Sequence, residues 1–518
     1  MKAKESLLAI GSGLLTALAF PKFSFSFFGW ISLIPLLYII LKKTPKQSFY
    51  YGLLAGISYN ALLIYWIPCV PAHYGNLSIG LSLVIYIIFV LFLSLFWALF
   101  SFLCSKIAIS FQKSIFFLAP FLWISFEYIL TYILTGFPWG LLGYSQYKNI
   151  YLIQLASITG VYGISFVLVF FQSMFLFSII HRKRSPFFIA LMLIGTIHIG
   201  GFIYLKQHTP VDKHFSASVI QGNVSSDIYW DRIPIEKTRD IFDQHLSLTQ
   251  QAIYRGARLI IWPEFSVPLC FSCPYGIYQE FKDSLYQFVL QTHSTLLIGT
   301  NEKEMSPEGV RYYNTALCLT PSLSITTYYK MHLVPFGEYT PYKKVFSFIE
   351  KVTHAIGDIT PGTRYTLHDF DGNLFASPIC YEIIFPNLVR KFVKNGASFL
   401  VTITNDGWYG RSSAPYQHFA IAVFRSVENR RYLLRAATTG ISAIIDPHGR
   451  ILSQTKLETQ AFLTGDISPI KSMTFYTKYG DIISFIGLTL SAIFFILSLK
   501  RKTNGWKKHK RDIFRPSV

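Results

Sequence analysis

The sequence predicts a polytopic α-helical membrane domain of about eight spans that carries an extracytoplasmic α/β domain. Three observations lead there. Of 518 residues, 52% are hydrophobic and only 14% charged, against about a quarter charged in soluble domains. Eight apolar runs approach or reach the about 20 residues a helix needs to cross a bilayer. A polar region, with 27 Lys and Arg against 23 Asp and Glu, lies between the seventh and eighth runs.

The runs lie at 5–20, 24–41, 48–67, 77–105, 114–136, 159–180, 186–205 and 480–499. The first two are short enough to form a re-entrant hairpin instead. Ala17-Leu18-Ala19 resembles a signal-peptide cleavage pattern, but the next run follows almost at once, so an uncleaved first span is expected. The domains expected are therefore a membrane domain at 1–205, a polar domain at 206–479, a last span at 480–499 and a basic tail at 500–518.

Net charge is +20, and its placement speaks against nucleic acid. With a cytoplasmic N-terminus, eighteen Lys and Arg fall in the cytoplasmic segments and tail, and only Lys22 and Lys148 in the short loops opposite. That asymmetry is the positive-inside signature. It puts the polar domain outside the cytoplasm and both termini inside.

The polar domain alternates strand and helix patterns. Strands are expected at 215–221, 258–262, 295–299, 312–319, 325–330, 365–370, 374–379, 398–404, 441–446 and 451–454. Helices are expected at 235–255, 275–293, 384–395 and 415–434. Mixed strands with interleaved helices imply helices covering sheets.

Three polar residues stand at strand ends, where α/β enzymes keep their chemistry. Glu264 follows Ile-Ile-Trp-Pro; it is either a general base raised by desolvation or an ordinary loop carboxylate. Lys330 closes Ile-Thr-Thr-Tyr-Tyr-Lys; it either aims a positive charge at an oxyanion and favours a nearby thiolate, or is a solvated hairpin lysine. Cys380 sits at a strand-to-helix turn in Ser-Pro-Ile-Cys-Tyr-Glu, as a nucleophile or as a small buried hydrophobe. No Ser-His-Asp order, Walker loop, HExxH or dinucleotide fingerprint is present in proper context, so neither metal nor cofactor is expected.

The order IIWPE, YYKMHLVPFGE, SPICYE resembles the nitrilase superfamily, whose α-β-β-α sandwich carries a Glu-Lys-Cys triad. The apolar runs, with GFPWGLLGYSQ at 136–146, QGN at 221–223, YYN at 312–314, TNDGWYG at 404–410, Gln417-His418 and ENRRYLLRAATTGISAIIDPHG at 428–449, narrow the resemblance to the apolipoprotein N-acyltransferase family. That resemblance implies acyl transfer from a phospholipid, phosphatidylethanolamine by likeness, to the α-amine of a diacylglyceryl-cysteine lipoprotein, in a bacterial inner membrane. It implies Cys380 as nucleophile, Glu264 as base and Lys330 as oxyanion stabiliser, with Glu338, Tyr381, Glu382 and Asn314 in support. It also implies Trp230 and Phe336 at the entrance, with Tyr229 and 346–349 as further apolar arms dipping into the bilayer. A monomer suffices for this chemistry. A membrane-anchored amidase acting on small amides, or a transporter with an external domain, are the rival readings.

Two features depart from the family pattern. Glu127 is followed by Tyr-Ile-Leu-Thr rather than a nearby arginine, so it either bridges helices through a hydrogen bond or shapes lipid entry. Cys270 and Cys273 either form a tight disulfide or stay reduced. Cys69, Cys104 and Cys318 are expected to be packing residues.

Overall fold

The computed structural model describes residues 2–75, 77–208, 215–224, 235–266, 270, 271, 273, 276–307, 309–341 and 359–500. The chain divides into two compact units. One comprises Met1–Pro68, Ile79–His208 and Tyr479–Val518; the other Cys69–Ser78 and Thr209–Lys478.

In the first unit every predicted apolar run holds a helix: Ala3–Leu18, Ile34–Lys42, Pro45–Leu63, Ile79–Phe111, Ile115–Tyr132, Ala156–His181, Ser185–Gln207 and Ile482–Lys500. The second run is broken, a 3-10 turn at Ser26–Trp30 preceding the nine-residue helix. Among the described residues, four segments are long and apolar enough to cross a membrane by length and composition: Ile79–Tyr132, Leu152–His181, Ser185–Gln207 and Ile482–Lys500. The first of these contains two predicted runs, separated by a 3-10 turn at Gln112–Ser114. The early helices carry polar and small residues because they face one another rather than lipid. Ser12, Thr16, Ser48 and Asn60 are all buried. At Gly52 and Gly56 a Cβ would collide with Ser94, Trp97 and Ser101 of the helix alongside, so glycine permits the close approach. Pro45–Leu63 starts at a capping box, Thr44 with Gln47, and has Pro at its first position. Glu127 bridges elements: its Oε1 accepts from Trp123 Nε1 at 2.9 Å and from the Leu142 amide at 2.7 Å.

The second unit holds two six-stranded sheets. The first runs in the order β12-β1-β2-β3-β4-β5, with β1 at Phe215–Gln221, β2 at Leu259–Ile261, β3 at Thr295–Ser306, β4 at Gly309–Leu319, β5 at Ile325–Tyr329 and β12 at Ala461–Ile467. The second runs β11-β10-β9-β8-β7-β6, with β6 at His368–Phe370, β7 at Asn373–Ala376, β8 at Phe399–Thr404, β9 at Leu433–Ala437, β10 at Ala443–Ile445 and β11 at Ile451–Gln454. β1, β2 and β3 are parallel, as are β7, β8 and β9.

Strand alternation explains the layers. Ile220, Ile260 and Trp262 join Phe242, Leu248, Phe281, Leu285 and Val289 of helices Ile235–Tyr254 and Ile277–Thr292 in one buried cluster. The opposite parity faces the second sheet: the Phe215 ring lies 4.5 Å from that of Phe370 and 5.5 Å from that of Phe399. Both faces of these central strands are therefore apolar, which is why Arg258–Trp262 reads as an unbroken hydrophobic run.

Two strands depart from the expectation. The helix expected over 415–434 ends at Asn429, where Arg430 takes a left-handed φ of 52° as its C-cap, and Leu433–Ala437 becomes the central strand β9. Helical spacing and a buried apolar strand look alike over so short a run. β12 was not expected; its polar Thr464 and Asp466 mask the strand pattern, and only its antiparallel register with β1 reveals it. Cys104 and Cys318 are buried as expected, but Cys69 is exposed, because its short helix Cys69–His73 belongs with the second unit rather than with a span.

Gln221 ties the two sheets. Its Oε1 accepts from the hydroxyls of Ser442 and Thr455, each at 2.7 Å, while its Nε2 donates to the carbonyls of Lys456 and Thr459. Gln221→Leu keeps the volume and removes these four hydrogen bonds, two of them from the buried Ser442 and Thr455 hydroxyls. It is expected to cost about 2–4 kcal/mol, read as a lowered unfolding temperature of the purified chain in detergent.

Candidate active site

The site gathers at the C-terminal ends of β2, β5, β7 and β8. Glu264 follows β2 through Trp262-Pro263, and its turn presses on β3 at Gly299, where a Cβ would lie 2.6 Å from the Glu264 Cα. Lys330 follows β5 directly, its amide donating to the Asn314 carbonyl at 2.9 Å. Cys380 opens a 3-10 turn, Cys380–Ile384, with a left-handed φ of 49°. That conformation is strained for a residue with a side chain.

Four of the anticipated residues form one hydrogen-bonded cluster. Lys330 Nζ lies 2.9 Å from Glu338 Oε1 and 3.4 Å from Glu264 Oε1. Asn314 Nδ2 donates to both carboxylates, at 2.7 Å to Glu264 and 2.8 Å to Glu338. The second oxygen of Glu264 accepts from the Asn405 amide, and that of Glu338 from the Val334 amide, each at 2.7 Å. Lys330 and Glu264 are 1% and 2% exposed, so this ion pair sits out of water. Burial disfavours the ammonium, yet the carboxylates of Glu338 and Glu264 outweigh it and hold the Lys330 pKa well above its ordinary value.

Cys380 is buried, and Glu264 and Lys330 lie within electrostatic reach of its thiol. Burial first, then the Glu264 charge, pushes the thiol far up; Lys330 pulls the other way and only partly offsets them. Lys330 thus favours the thiolate, as expected of a nearby cation, but burial and Glu264 outweigh it. One cation already shared by two carboxylates offers little to a third anion in a dry pocket, which favours the thiol form of the sulfur.

Glu382 joins the two halves of the site. Its Oε1 accepts from Tyr328 Oη at 2.7 Å and from the Met331 and His332 amides at 2.8 and 3.0 Å. Its Oε2 accepts from the Ile379 amide at 2.7 Å. One carboxylate thus fixes the lysine turn to the cysteine turn. Burial raises its pKa and these donors oppose the rise. Tyr381 is buried, its ring against Phe385 and His332. Phe336, 46% exposed and with a positive φ, stands outside the cluster. Trp230, Tyr229 and 346–349 lie outside the described residues. Cys270 and Cys273 are joined in a disulfide, and the intervening Phe271 amide donates to Glu302.

A second buried polar group lies behind the cysteine turn, built from residues of TNDGWYG, Gln417-His418 and ENRRYLLRAATTG. Asp406, from TNDGWYG, holds His418 Nδ1 at 2.9 Å and Arg435 Nη2 at 2.7 Å. His418 Nε2 in turn lies 3.2 Å from the Cys380 carbonyl. All three side chains are buried. Burial works against the Asp406 charge, but Arg435 and His418 override it and hold its pKa at about 2. The available signal was three ionisable residues set in otherwise apolar runs, which must pair to be buried.

Comparison with known proteins gives the family. Residues 12–174 match the family model described as apolipoprotein N-acyltransferase N-terminal domain. Residues 217–471 match the carbon-nitrogen hydrolase model. A Geobacter metallireducens protein named apolipoprotein N-acyltransferase is 35% identical over 96% of this chain and 96% of its own. The chain belongs to the apolipoprotein N-acyltransferase family. Family relatives of the same name occur in Chlorobaculum tepidum, 29% identical over 96% of this chain and 97% of that one, and in Methylococcus capsulatus, 32% identical over 92% and 93%. Among solved structures, Saccharomyces cerevisiae Nit3 of the nitrilase superfamily is 18% identical over 51% of this chain and 93% of its own, with a TM-score of 0.36.

Asp406 is depressed relative to its unfolded value, so its contribution is present above about pH 4 and lost as pH falls toward 2. Asp406→Asn is therefore expected to lower the unfolding temperature at pH 7, with the gap to the parent narrowing between pH 4 and 2 in detergent melts. Glu382→Ala is expected to lower acylation of Cys380 by at least about tenfold through loosened turn geometry, measured as adduct formation by intact mass.

Proposed function

We propose that this chain moves an acyl chain from a membrane phospholipid to the N-terminal α-amine of a diacylglyceryl-cysteine lipoprotein. The observation that carries this reading is the convergence of Glu264, Lys330 and Cys380, with Glu338 and Asn314, in a chain whose near-full-length relatives bear the acyltransferase name.

The reaction has two halves. Cys380 Sγ attacks the ester carbonyl of the donor as Glu264 takes the thiol proton. The oxyanion is met by the Lys330 ammonium and the Tyr381 backbone N–H. The lysophospholipid leaves with the proton returned from Glu264, and the acyl group remains as a thioester on Cys380. The lipoprotein amine then attacks the thioester, Glu264 accepts its proton, the amide forms and the thiol is restored. This is covalent ping-pong catalysis. A resting thiol suits it: the sulfur becomes an anion only as the bond to carbon forms, so no free thiolate is exposed to oxidation or stray electrophiles.

The role of Glu338 is to hold Lys330 Nζ, and that of Asn314 is to hold the two carboxylates apart from each other by donating to both. Phosphatidylethanolamine is the donor in this reading and Trp230 and Phe336 line the entrance. The chain works as a monomer. Eight spans, at the places the hydropathy indicates, keep residues 206–479 outside the cytoplasm of a bacterial inner membrane and both termini inside. The membrane-anchored amidase reading draws no support from relatives that share the whole length and the acyltransferase name.

Cys380→Ala is expected to abolish transfer from phosphatidylethanolamine to a diacylglyceryl peptide while the protein still inserts. The parent chain, incubated with donor alone, should gain one acyl mass at Cys380; transfer by the alanine variant at the parent rate would refute the nucleophile. Lys330→Ala is expected to slow thioester formation about 10²-fold or more. A reporter active only outside the cytoplasm should be active when fused after Lys478 and silent when fused after Val518; the reverse pattern would overturn the topology.

A further inference from the structure

The peptide linking Cys380 to Tyr381 has a partner at its carbonyl end. His418 Nε2 lies 3.2 Å from the Cys380 oxygen. A carbonyl only accepts, so this ring nitrogen carries a proton. Burial and Arg435 hold His418 below its ordinary pKa, so the ring carries this one proton; the other nitrogen accepts from Arg435 Nη2 at 3.1 Å, beside Asp406 Oδ1 at 2.9 Å. Asp406 is itself anchored: its Oδ2 accepts from Arg435 at 2.7 Å, its Oδ1 from the Thr404 hydroxyl at 3.1 Å. Arg435 Nε donates to the Ile441 carbonyl at 3.1 Å. Arg435 lies on β9 and Asp406 just past β8, so the chain of contacts starts on the central strands of the second sheet and ends on the nucleophile's own backbone. His418 comes from the helix Ala414–Asn429, whose first turn sits over this point.

A trans peptide places its C=O and N–H at opposite ends of one plane. Fixing the Cys380 oxygen therefore fixes the direction of the Tyr381 N–H. A donor at the carbonyl also polarises the amide and strengthens the N–H as a donor, since linked hydrogen bonds reinforce one another. The left-handed φ of Cys380 makes an anchor necessary, because a non-glycine residue held there returns to common backbone geometry unless neighbours over-determine it.

We propose that Arg435, Asp406 and His418 form a positioning relay that orients and polarises the Cys380–Tyr381 peptide, so that its N–H meets the oxyanion of both half-reactions. This rests on Cys380 being the nucleophile. His418 does not touch substrate in this scheme and moves no proton. It acts through the backbone, at the side of the peptide away from the reacting carbon.

Two polar variants separate this role from packing. His418→Gln carries an amide N–H long enough to reach the Cys380 oxygen. His418→Asn keeps a donor near Asp406 and falls short of that oxygen. Full-length chains, reconstituted in phosphatidylethanolamine vesicles, are followed by intact mass for single-turnover acylation over a range of donor content. His418→Asn should acylate about 10²-fold more slowly with its half-saturating donor content unchanged, the pattern of an interaction made in the transition state. His418→Gln should recover at least about tenfold of that loss. Equal rates for the two variants would overturn the relay. Should neither fold, Asp406→Asn replaces them: a slower rate at unchanged half-saturation supports the relay, and a parent rate overturns it. A parent chain that gains no acyl mass at Cys380 brings down the nucleophile itself, and is distinguished from failure of the relay alone because it is seen before any variant is compared.

Discussion

An ammonium buried between two carboxylates is the constraint around which the polar unit is arranged. Lys330 sits 1% exposed between Glu338 and Glu264. Each of these charges would be expensive alone in a dry interior, and breaking such a group by removing one member leaves an uncompensated charge. The group is therefore all or nothing. Its members come from the ends of β2 and β5 and from the turn after Val334, and Asn314 on β4 donates to both carboxylates. Once they meet, the strand ends that carry them have little freedom left.

Burial first, and the Glu264 charge after it, push the Cys380 thiol up, and Lys330 only partly offsets them. In the proposed reaction Glu264 has a proton to collect, and Lys330 gains a compensating charge when an oxyanion appears. Two further carboxylates, each buried, do mechanical work. Glu382 binds the lysine turn to the cysteine turn through four donors, and Asp406 binds Arg435 to His418. Glu382 holds backbone amides directly, and Asp406 holds the side chains that reach the Cys380 carbonyl through His418.

The helical unit follows a different rule. With no water to exclude between helices, close packing and internal hydrogen bonds hold it. Gly52 and Gly56 let one helix approach Ser94, Trp97 and Ser101, and Glu127 caps the Leu142 amide where the chain leaves regular helix. These interior contacts draw polar and small residues into segments that, read as a string, lose hydrophobic strength. Among the described residues, five of the eight runs fall in the four segments that qualify as spans; Ala3–Leu18 and Ile34–Lys42 are helices too short to qualify, and Pro45–Leu63 buries Ser48, Gly52, Gly56 and Asn60.

The sequence by itself determined the helix-forming apolar runs and the alternating α/β pattern of the polar region; it offered Glu264, Lys330 and Cys380 as candidates at strand ends, while Glu338, Asn314, Tyr381 and Glu382 were candidates through family resemblance alone. Run length, strand parity and reactive groups at strand ends are local signals. Tertiary structure alone decided that Leu433–Ala437 leaves a helix to become a central strand, that β12 closes the first sheet's edge, and that Cys69 stands with the polar unit. It also decided the burial that pushes the Cys380 thiol up and the joining of Asp406, His418 and Arg435 behind it. Those outcomes depend on burial and on distances between residues far apart in the chain, and a pattern of neighbouring residues carries neither.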